Sequence, residues 1–345
     1  MIMVRIVQNV VNNLFKRKGD NKMNGKEFIN IKEAKELVAK AKENPGFKTT
    51  GEGIILLKQR EKGITSSGSP KITGVVANED EINFNCWESN EAYKNMKLSV
   101  FENGNIIIKA KYEINKFGLV INSFDLVDGY SPDDFLSHKY DALEKENELY
   151  DAIKQSGATE KSEMIINKIL HFKENDYISE RFHKEYAAKS HHDNCSTGLL
   201  AHSCKCLQLY NGIKRPYKIF SDERINDLMV ISLVIHDIGK IFEMVNGVYQ
   251  KNSYVTHRGL GLEYYAKYKD VIVETYDEDF YYMIFSVIQQ HHGEYGEEPR
   301  TLYAYIVHMI DDMESKMTSI DDWYEGRSEN SEIQFINLDD KKLNI

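Results

Sequence analysis

The sequence predicts a multi-domain protein of α and β structure, in which a small all-β barrel precedes an all-α helical bundle. Three observations support this prediction: five short β-type runs within about 80 residues, an abrupt change to helix-forming composition near residues 128–134, and helical periodicity from there to about residue 320. The predicted organisation is a leader and helix over residues 1–46, the barrel over 47–130, the helical domain over 131–323, and a polar, acidic, loosely docked or flexible tail over 324–345.

The barrel prediction rests on strands that are short, apolar and separated by turn residues. Each run is rich in β-branched residues, and a loop dense in Gly, Ser and Pro follows the first of them. Five such strands in so short a segment suit a closed barrel of the oligonucleotide/oligosaccharide-binding (OB) type, and a generic or SH3-like small barrel is the alternative. The runs are GIILLKQRE, KITGVVAN, EINFNCWES, GNIIIKAKYEIN and FGLVINSFDLVD.

The helical domain begins with the segment SPDD, residues 131–134, in which a proline and two acids are typical of a first helical turn. Beyond this segment apolar residues recur at spacings of three and four, as they do over residues 165–172. The boundary between the two domains is therefore expected near residues 128–134.

Composition limits the class of protein and its compartment. The chain has 345 residues, enough for two domains, and its 41% hydrophobic and 28% charged content is ordinary for a globular protein. Four cysteines in a chain of this length predict no disulfide framework, so the cytoplasm is the expected location, and Cys204 and Cys206 are expected to be small buried side chains. No run reaches the roughly 18 apolar residues of a membrane span. We therefore expect no stable membrane insertion, although the amphipathic, basic opening segment leaves an interfacial helix, an oligomer contact and a flexible leader open.

The net charge of −10 counts against a surface that binds nucleic acid broadly and without specificity. It does not exclude a local basic groove, nor phosphate binding through a metal ion. The charge therefore limits where a nucleic acid would bind rather than whether it binds.

Polar side chains interrupt the apolar helices of the second domain. Seven of the eleven histidines lie between His191 and His292, and the segment VISLVIHDIGK places a His-Asp pair in an aliphatic run. Burying a carboxylate costs several kcal/mol unless something compensates. Because every candidate lies on, or at the end of, an apolar helical segment, these side chains can converge only if a cation neutralises and orders them. The candidates are His202, His236, Asp237, His257, His291, His292 and Asp311.

Five imidazoles and two carboxylates provide enough ligands for two metal ions if Asp237 bridges them. Imidazole and carboxylate together suit Mn, Fe, Co, Ni or Zn. The predicted cofactor is therefore a pair of divalent transition-metal ions, with manganese favoured. One ion would bind His202, His236, Asp237 and Asp311, and the other would bind Asp237, His257, His291 and His292.

The pattern H…HD…D, formed by His202, His236, Asp237 and Asp311, resembles the signature of the HD superfamily of metal-dependent phosphohydrolases. The additional histidines are similar to those of its binuclear branch. HDIGK and HHG also resemble the HD-GYP phosphodiesterases of cyclic di-GMP, but HHGEYGEEPRTLY contains no DGxGYP stretch.

A closer resemblance covers nearly the whole chain, because a β-barrel followed by a helical HD domain is the arrangement of the YhaM-type 3′-5′ exoribonucleases. KGITSSGSPKITGVVANEDEINFNCWE resembles the first hairpins of that family, AAKSHHDNCSTGLLAHS its approach to the first metal histidine, and TLYAYIVHMIDDMESKM its closing segment. The resemblance implies that Asp311 rather than Asp312 is the ligand. Thr256 before His257 and Glu314 depart from the family pattern, and so does the long basic leader, but none of these removes a ligand.

The chemistry of such a centre makes Asp237 and Lys240 the candidate catalytic residues. Two metal ions about 3.5–4 Å apart would clamp a nonbridging phosphate oxygen and lower the pKa of a water molecule. Lys240 lies three residues after Asp237 on the same helix face and would stabilise the charge that builds on the phosphoryl oxygens. A solvated lysine at a helix end is the alternative.

Four residues are candidates for contact with the substrate. His192 precedes the first ligand by ten residues, Phe84 and Trp87 are candidates for stacking on bases, and Lys58 would contact phosphate. Strand aromatics are otherwise core residues, and a barrel that forms a homo-oligomer interface is a further alternative.

Two enzymatic functions fit these observations, and a non-catalytic nucleotide sensor is a third reading that the intact ligand set disfavours. The first is a 3′-5′ exoribonuclease acting on single-stranded RNA, with single-stranded DNA as a further candidate substrate. The alternative is a phosphodiesterase that degrades a cyclic or short oligonucleotide signal, with the barrel as scaffold or oligomer interface.

Overall fold

A computed structural model describes residues 28–99, 106–188, 193–250, 254–293, 296–325, 335–338 and 341–344. The chain divides into two compact units, Met1–Leu136 and Ser137–Ile345. None of the described helices is long and apolar enough to cross a membrane.

The first unit contains a closed barrel of five strands, in the order β1-β2-β3-β5-β4. The long first strand pairs with β2 and with β4, and a short parallel pairing of Phe84 with Leu119 joins β3 to β5 and closes the barrel. This architecture fits the predicted OB-type barrel, and each of the five β-type runs in the sequence forms a strand. The strands are β1 (Thr49–Ile64), β2 (Pro70–Ala77), β3 (Glu81–Trp87), β4 (Ile106–Asn115) and β5 (Gly118–Leu126).

Two helices complete the first unit. Helix α1 (Ile31–Glu43) begins at Asn30, whose side chain accepts a hydrogen bond from the backbone N–H of Glu33. Helix α2 (Glu91–Ser99) connects β3 to β4 and contributes Ala92 and Met96 to the barrel core. The sequence carries no pattern that predicts α2, because only a few of its nine residues are apolar and their burial depends on the barrel beneath them.

The second unit is built from helices, as its composition predicts. Its core surrounds helix α7 (Glu223–Ile235), in which every residue from Asn226 to Ile235 is buried, so this helix lies at the centre of the unit. The helices are α3 (Ala142–Gln155), α4 (Glu160–Leu170), α5 (Tyr177–Lys184), α6 (Gly198–Ile213), α7 (Glu223–Ile235), α8 (Lys240–Glu243), α9 (His257–Tyr265), α10 (Lys269–Thr275), α11 (Glu278–Gln290) and α12 (Leu302–Glu325).

The segment SPDD forms a shorter helix start than expected. Ser131 caps a single 3-10 turn, Pro132–Phe135, in a capping box with Asp134, and the first long helix of the second unit begins at Ala142. The composition change is therefore real, but a loop separates it from the helix.

Two hairpins were not predicted from the sequence: one lies in the segment expected to be all-helical, and the other in the segment expected to be the acidic tail. Strands β6 (Met244–Val245) and β7 (Val248–Tyr249) are joined by Asn246 and Gly247, both of which have positive φ, as a two-residue type I′ turn requires. Strands β8 (Phe335–Leu338) and β9 (Lys341–Asn344) pair within the segment expected to be a loosely docked tail. Eight residues of the predicted acidic tail therefore form a hairpin.

Candidate metal centre

The structure brings all seven predicted metal ligands together inside the helical unit. The elements that carry them are the middle of α6, the end of α7, the start of α9, the end of α11 and the middle of α12. The side chains are buried or nearly so, which fits their positions on apolar helices. They are His202, His236, Asp237, His257, His291, His292 and Asp311.

Asp237 lies between two groups of histidines and directs one carboxylate oxygen to each. Its Oδ2 is 3.8 Å from Nε2 of His202 and 3.5 Å from Nε2 of His236. Its Oδ1 is 3.5 Å from Nε2 of His257 and 3.3 Å from Nε2 of His291. A single buried carboxylate therefore faces both halves of the centre.

The donor atoms of each half lie close enough to share one ion. In the first half Nε2 of His202 is 3.3 Å from Nε2 of His236 and 3.2 Å from Oδ1 of Asp311. In the second half Nε2 of His257 is 2.9 Å from Nε2 of His292. Two groups of residues each have one ligand atom per residue within 4.8 Å of the others: His202, Cys206, His236 and Asp311 form the first, and Asp237, His257, His291 and His292 form the second.

Carboxylates on the far side of two imidazoles fix their orientation. Nδ1 of His202 lies 2.6 Å from Oε2 of Glu314, and Nδ1 of His257 lies 2.9 Å from Oε2 of Glu243. An imidazole that donates through Nδ1 presents the lone pair of Nε2 to the centre. This is the arrangement by which carboxylates orient metal-binding histidines.

Backbone carbonyls hold two further imidazoles in the same way. Nδ1 of His236 donates to the carbonyl of Leu233 at 3.0 Å, and Nδ1 of His291 donates to that of Ile288 at 3.1 Å. The Nδ1 atoms of these four imidazoles are therefore engaged on the outer side, and their four Nε2 atoms face the centre.

Two buried atoms at the middle of the centre have no hydrogen-bond partner among the described residues. They are Oδ1 of Asp237 and Nε2 of His291, which lie 3.3 Å apart. Because both atoms carry lone pairs, they repel each other unless positive charge lies between or beside them. A cation satisfies both, so the residues present fit a metal ion.

Electrostatics keeps Asp237, His236 and His292 in their metal-binding forms. Burial opposes ionisation of Asp237, but Lys240 and the surrounding imidazoles outweigh it and lower the pKa of the carboxyl well below its usual value. Burial lowers the pKa of His236 to about 4 and that of His292 to about 3, so both are neutral near pH 7. His202 is the exception: burial disfavours its charged form, but Cys206, Glu314 and Asp311 raise its pKa well above the usual value, so its imidazole must release a proton when an ion binds.

The turn between α7 and α8 explains how the chain places Asp237. The α7 hydrogen bonds end at His236, and Lys240 N–H donates to the carbonyl of Asp237 at 2.9 Å, so the carboxylate emerges from a tight turn. Gly239 lies in this turn, and a Cβ there would lie 1.8 Å from the backbone oxygen of His257. A glycine is therefore needed for α9 to bring His257 against Asp237.

Lys240 forms a partly buried ion pair with Oδ2 of Asp237, so the predicted catalytic lysine lies beside the carboxylate that faces both halves of the centre.

His308 supports the end of α11. Its Nδ1 donates to the carbonyl of His291 at 2.8 Å and so fixes the chain at that point.

Three residues near the centre carry no role in the sequence predictions: Cys206, Glu314 and Glu243. Helical spacing could have indicated two of them, because Cys206 lies four residues after His202 and Glu314 three after Asp311. Glu243 offers no such signal, since a turn and a hairpin separate it from His257.

The structure corrects two of the four predicted substrate contacts. Phe84 is 1% exposed and belongs to the barrel core, and Lys58 is 2% exposed and ion-paired with Glu81, so neither lies on a binding surface. Trp87 is half-buried and packs edge-to-face on Phe117, with ring centroids 5.8 Å apart. His192 lies outside the described residues.

Fold and site together define a class of protein: an OB-type barrel joined to a helical unit that carries a candidate centre for two metal ions. Comparison with known proteins agrees with the resemblance to the YhaM-type exoribonucleases. The chain is similar to the 3′-5′ exoribonuclease YhaM of Geobacillus sp. (strain WCH70), with 24% identity over 287 residues that cover 77% of this chain and 82% of that protein. It is similar to YhaM of Bacillus subtilis (strain 168), with 25% identity over 77% of this chain and 85% of that protein.

A third relative is YhaM of Oceanobacillus iheyensis, with 25% identity over 79% of this chain and 87% of that protein. No family model matches the chain, and no solved structure matches it. The predicted resemblance is confirmed by these relatives.

Proposed function

We propose that this protein is a metal-dependent 3′-5′ exoribonuclease of the HD superfamily that hydrolyses single-stranded RNA. The observation that carries the proposal is the position of Asp237, which directs Oδ1 and Oδ2 to separate groups of imidazoles. The names of the three relatives support the reaction and the substrate.

In this proposal Asp237 would be a ligand of both ions, and each of the two groups of residues described above would hold one divalent ion. Such a pair, when bound, supplies charge neutralisation of the phosphodiester and activation of water. Glu314 and Glu243 keep the Nδ1 protons of His202 and His257 in place. Lys240 provides a positive charge beside Asp237 that would move to the phosphoryl oxygens when RNA is bound.

An aromatic and cationic patch on the barrel would bind the RNA strand. Phe117 is 58% exposed and contacts Trp87, and the ammonium groups of Lys71 and Lys116 lie 5.8 and 5.0 Å from the rings of Trp87 and Phe117, respectively. Exposed aromatic rings stack on bases without sequence preference, and neighbouring lysines attract the phosphate backbone.

The test uses the full chain with Mn²⁺ and single-stranded RNA labelled at its 5′ end. We expect a ladder of products shortening from the 3′ end, and loss of the ladder in Asp237→Ala and Asp311→Asn. Asp312→Asn is the matched control, because Asp312 ion-pairs with Lys316 and lies outside both sets of ligands. Inert RNA, or a ladder that survives in Asp237→Ala, would contradict the proposal.

The second candidate is cleavage of a cyclic or short oligonucleotide signal, which the net charge of −10 favours because a small substrate needs no extended basic surface. The same protein given a cyclic dinucleotide distinguishes the two. Linearisation of that compound while RNA stays intact would support the second candidate against the first.

A further inference from the structure

An exposed aromatic ring lies on the short hairpin that follows α8. Tyr249 belongs to the two-residue strand β7, and 51% of its side-chain surface is exposed. It belongs to neither core cluster and is not one of the predicted metal ligands.

Backbone pairing places this ring beside the helix that begins with Lys240. The N–H of Met244 donates to the carbonyl of Lys240, so Met244 lies one helical turn beyond the lysine. Met244 is also the cross-strand partner of Tyr249, and the side chains of directly opposed strand residues lie on the same face. The N–H of Gln250 donates to the carbonyl of Glu243 at 2.9 Å, which holds β7 against the end of α8.

The electrostatic surroundings of the Tyr249 hydroxyl agree with this placement. Burial raises the pKa of the hydroxyl, the carboxylates of Glu243 and Asp237 raise it as well, and Lys240 opposes them. Charges shift a pKa in this way only when they are nearby. The hydroxyl end of the side chain therefore faces the candidate metal centre, while part of the ring stays open to solvent.

The hairpin is held in a fixed position by a buried ion pair. Strands of two residues are too short to be stable by themselves. The carboxylate of Glu185, which is completely buried, accepts hydrogen bonds from the N–H groups of Gly247 at 2.8 Å and Asn246 at 3.3 Å. Arg181 pairs with Glu185 and donates to the carbonyl of Met244 at 2.5 Å. The ring on β7 is therefore carried by a rigid support.

The candidate centre is accessible on the side of Lys240 and Asp311. Three of the ligand imidazoles have completely buried side chains, whereas 13% of the Lys240 side chain and 19% of the Asp311 side chain are exposed. A phosphodiester must reach the centre through these exposed groups. The nucleotides on either side of that phosphodiester then lie near the ring beside Lys240.

We propose that the ring of Tyr249 stacks on one of the two bases that flank the scissile phosphate. This inference rests on the proposed nuclease function and deepens it by naming a residue that contacts the substrate. Stacking on an aromatic ring accepts every base, as removal of nucleotides from RNA of any sequence requires. With Lys240 at the phosphate and Tyr249 at the base, the reacting nucleotide is held at two points.

The test uses the full-length protein with Mn²⁺ and three RNAs labelled at the 5′ end. One RNA is unmodified, the second lacks the base of its 3′-terminal nucleotide, and the third lacks the base of the nucleotide before it. The kcat/KM for removal of the first nucleotide is measured. In the wild type we expect one of the abasic RNAs to be cleaved about fivefold or more less efficiently than the unmodified RNA.

Variants of Tyr249 assign this preference to the ring. Tyr249→Ala should cleave that abasic RNA and the unmodified RNA alike, because no ring remains to stack on the base. Tyr249→Phe keeps the ring and should keep the wild-type preference. Tyr282→Ala is the matched control, because Tyr282 is 50% exposed and lies in the first half of α11, away from His291, and it should also keep the preference.

Metal binding provides a second readout that separates stacking from damage to the centre. Tyr249→Ala should bind Mn²⁺ with wild-type affinity in isothermal titration, because Tyr249 is not a ligand. A loss of Mn²⁺ affinity in this variant would indicate a structural role and overturn the inference.

The remaining outcomes separate this inference from the function on which it rests. Wild-type protein that cleaves all three RNAs alike would overturn the role of Tyr249 and leave the nuclease function standing, even if Tyr249→Ala did not fold. A wild-type preference that persists in Tyr249→Ala would do the same. Wild-type protein that cleaves none of the RNAs would overturn both.

Discussion

At the scale of single residues, the candidate centre depends on two side chains outside the seven predicted ligands. Glu314 and Glu243 each accept a hydrogen bond from the Nδ1 of one imidazole and so decide which nitrogen faces inward. Both glutamates are nearly buried, with 3% and 6% of their surfaces exposed, so their charges act in a weakly screening environment. The tautomer of each imidazole is therefore set from outside the ligand sets.

Glu243→Gln should weaken metal binding in the second half of the centre. A glutamine has no charge to hold the Nδ1 proton of His257, and loss of such a partner costs about 10–100-fold in affinity. Isothermal titration with Mn²⁺ measures the effect. Glu263→Gln, an exposed position on α9, is the control and should bind as the wild type does. Equal affinity in Glu243→Gln and wild type would contradict the orienting role.

The neutral histidines should make the metal-free protein sensitive to mild acid. Burial lowers the pKa of His292 to about 3, whereas in the unfolded chain it is about 6.5. The unfolded state then binds a proton as the pH falls below 6.5 and the folded state does not, so the stability that His292 contributes is fully present above 6.5 and is lost on the way to pH 3.

Urea unfolding in EDTA at several pH values measures this loss. The free energy of unfolding should fall less steeply between pH 7 and pH 5 in His292→Asn than in the wild type. Parallel profiles for His292→Asn and the wild type would refute the expectation.

At the scale of elements, one close approach between α8 and α9 positions the second half of the centre. The backbone of Gly239 lies against the backbone of His257 and Gly261, where a Cβ would meet atoms at 1.8 and 2.6 Å. Backbone atoms cannot swing aside as a flexible side chain does, so a larger residue must separate the two elements.

Gly239→Ala should therefore displace His257 and destabilise the fold. Overpacking of this kind costs about 1–3 kcal/mol, and we expect a lower melting temperature together with weaker Mn²⁺ binding. Gly212→Ala on α6 is the control, because a Cβ there meets no atom within 4 Å, and it should be neutral or stabilising. A Gly239→Ala protein with normal stability and metal binding would show that α9 adjusts freely.

Some features of the helices and strands could be predicted from the sequence and others could not. The convergence of the seven predicted ligands was predictable because each is a polar residue on, or at the end of, an apolar helix. The burial of Phe84 and Lys58 was not predictable from alternation, because all four residues from Ile54 to Leu57 are buried in succession and so mark no single inner face. The dipeptide Asn246-Gly247 is typical of a type I′ hairpin turn, so the turn was predictable. The length of the hairpin was not, because each of its strands has only two residues.

At the scale of the whole molecule, acidity and function place different demands on the surface. A chain with a net charge of −10 repels RNA at long range, so in the proposed function RNA binding would rely on short-range stacking and on contacts between phosphate and bound metal. The patch of Trp87, Phe117, Lys71 and Lys116 would provide such stacking on the barrel.

Trp87→Ala should weaken the binding of long single-stranded RNA and spare the cleavage of a dinucleotide. Stacking of one base on an aromatic ring is worth about 1–3 kcal/mol, so the dissociation constant should rise about fivefold or more. Fluorescence anisotropy with labelled RNA measures it. Tyr217→Ala removes an exposed aromatic ring, 57% accessible, from the helical unit and should have no effect. An equal loss on RNA and dinucleotide would instead indicate a structural role for Trp87.

The carboxylate of Asp237 has a consequence for how the centre fills. Its Oδ2 is engaged by Lys240, whereas its Oδ1 has no hydrogen-bond partner among the described residues. In the proposed function an ion in the first half would have to displace Lys240 from Oδ2, and an ion in the second half would meet an oxygen that no donor occupies. We therefore expect the two halves to fill one after the other, the second half at the lower free metal concentration.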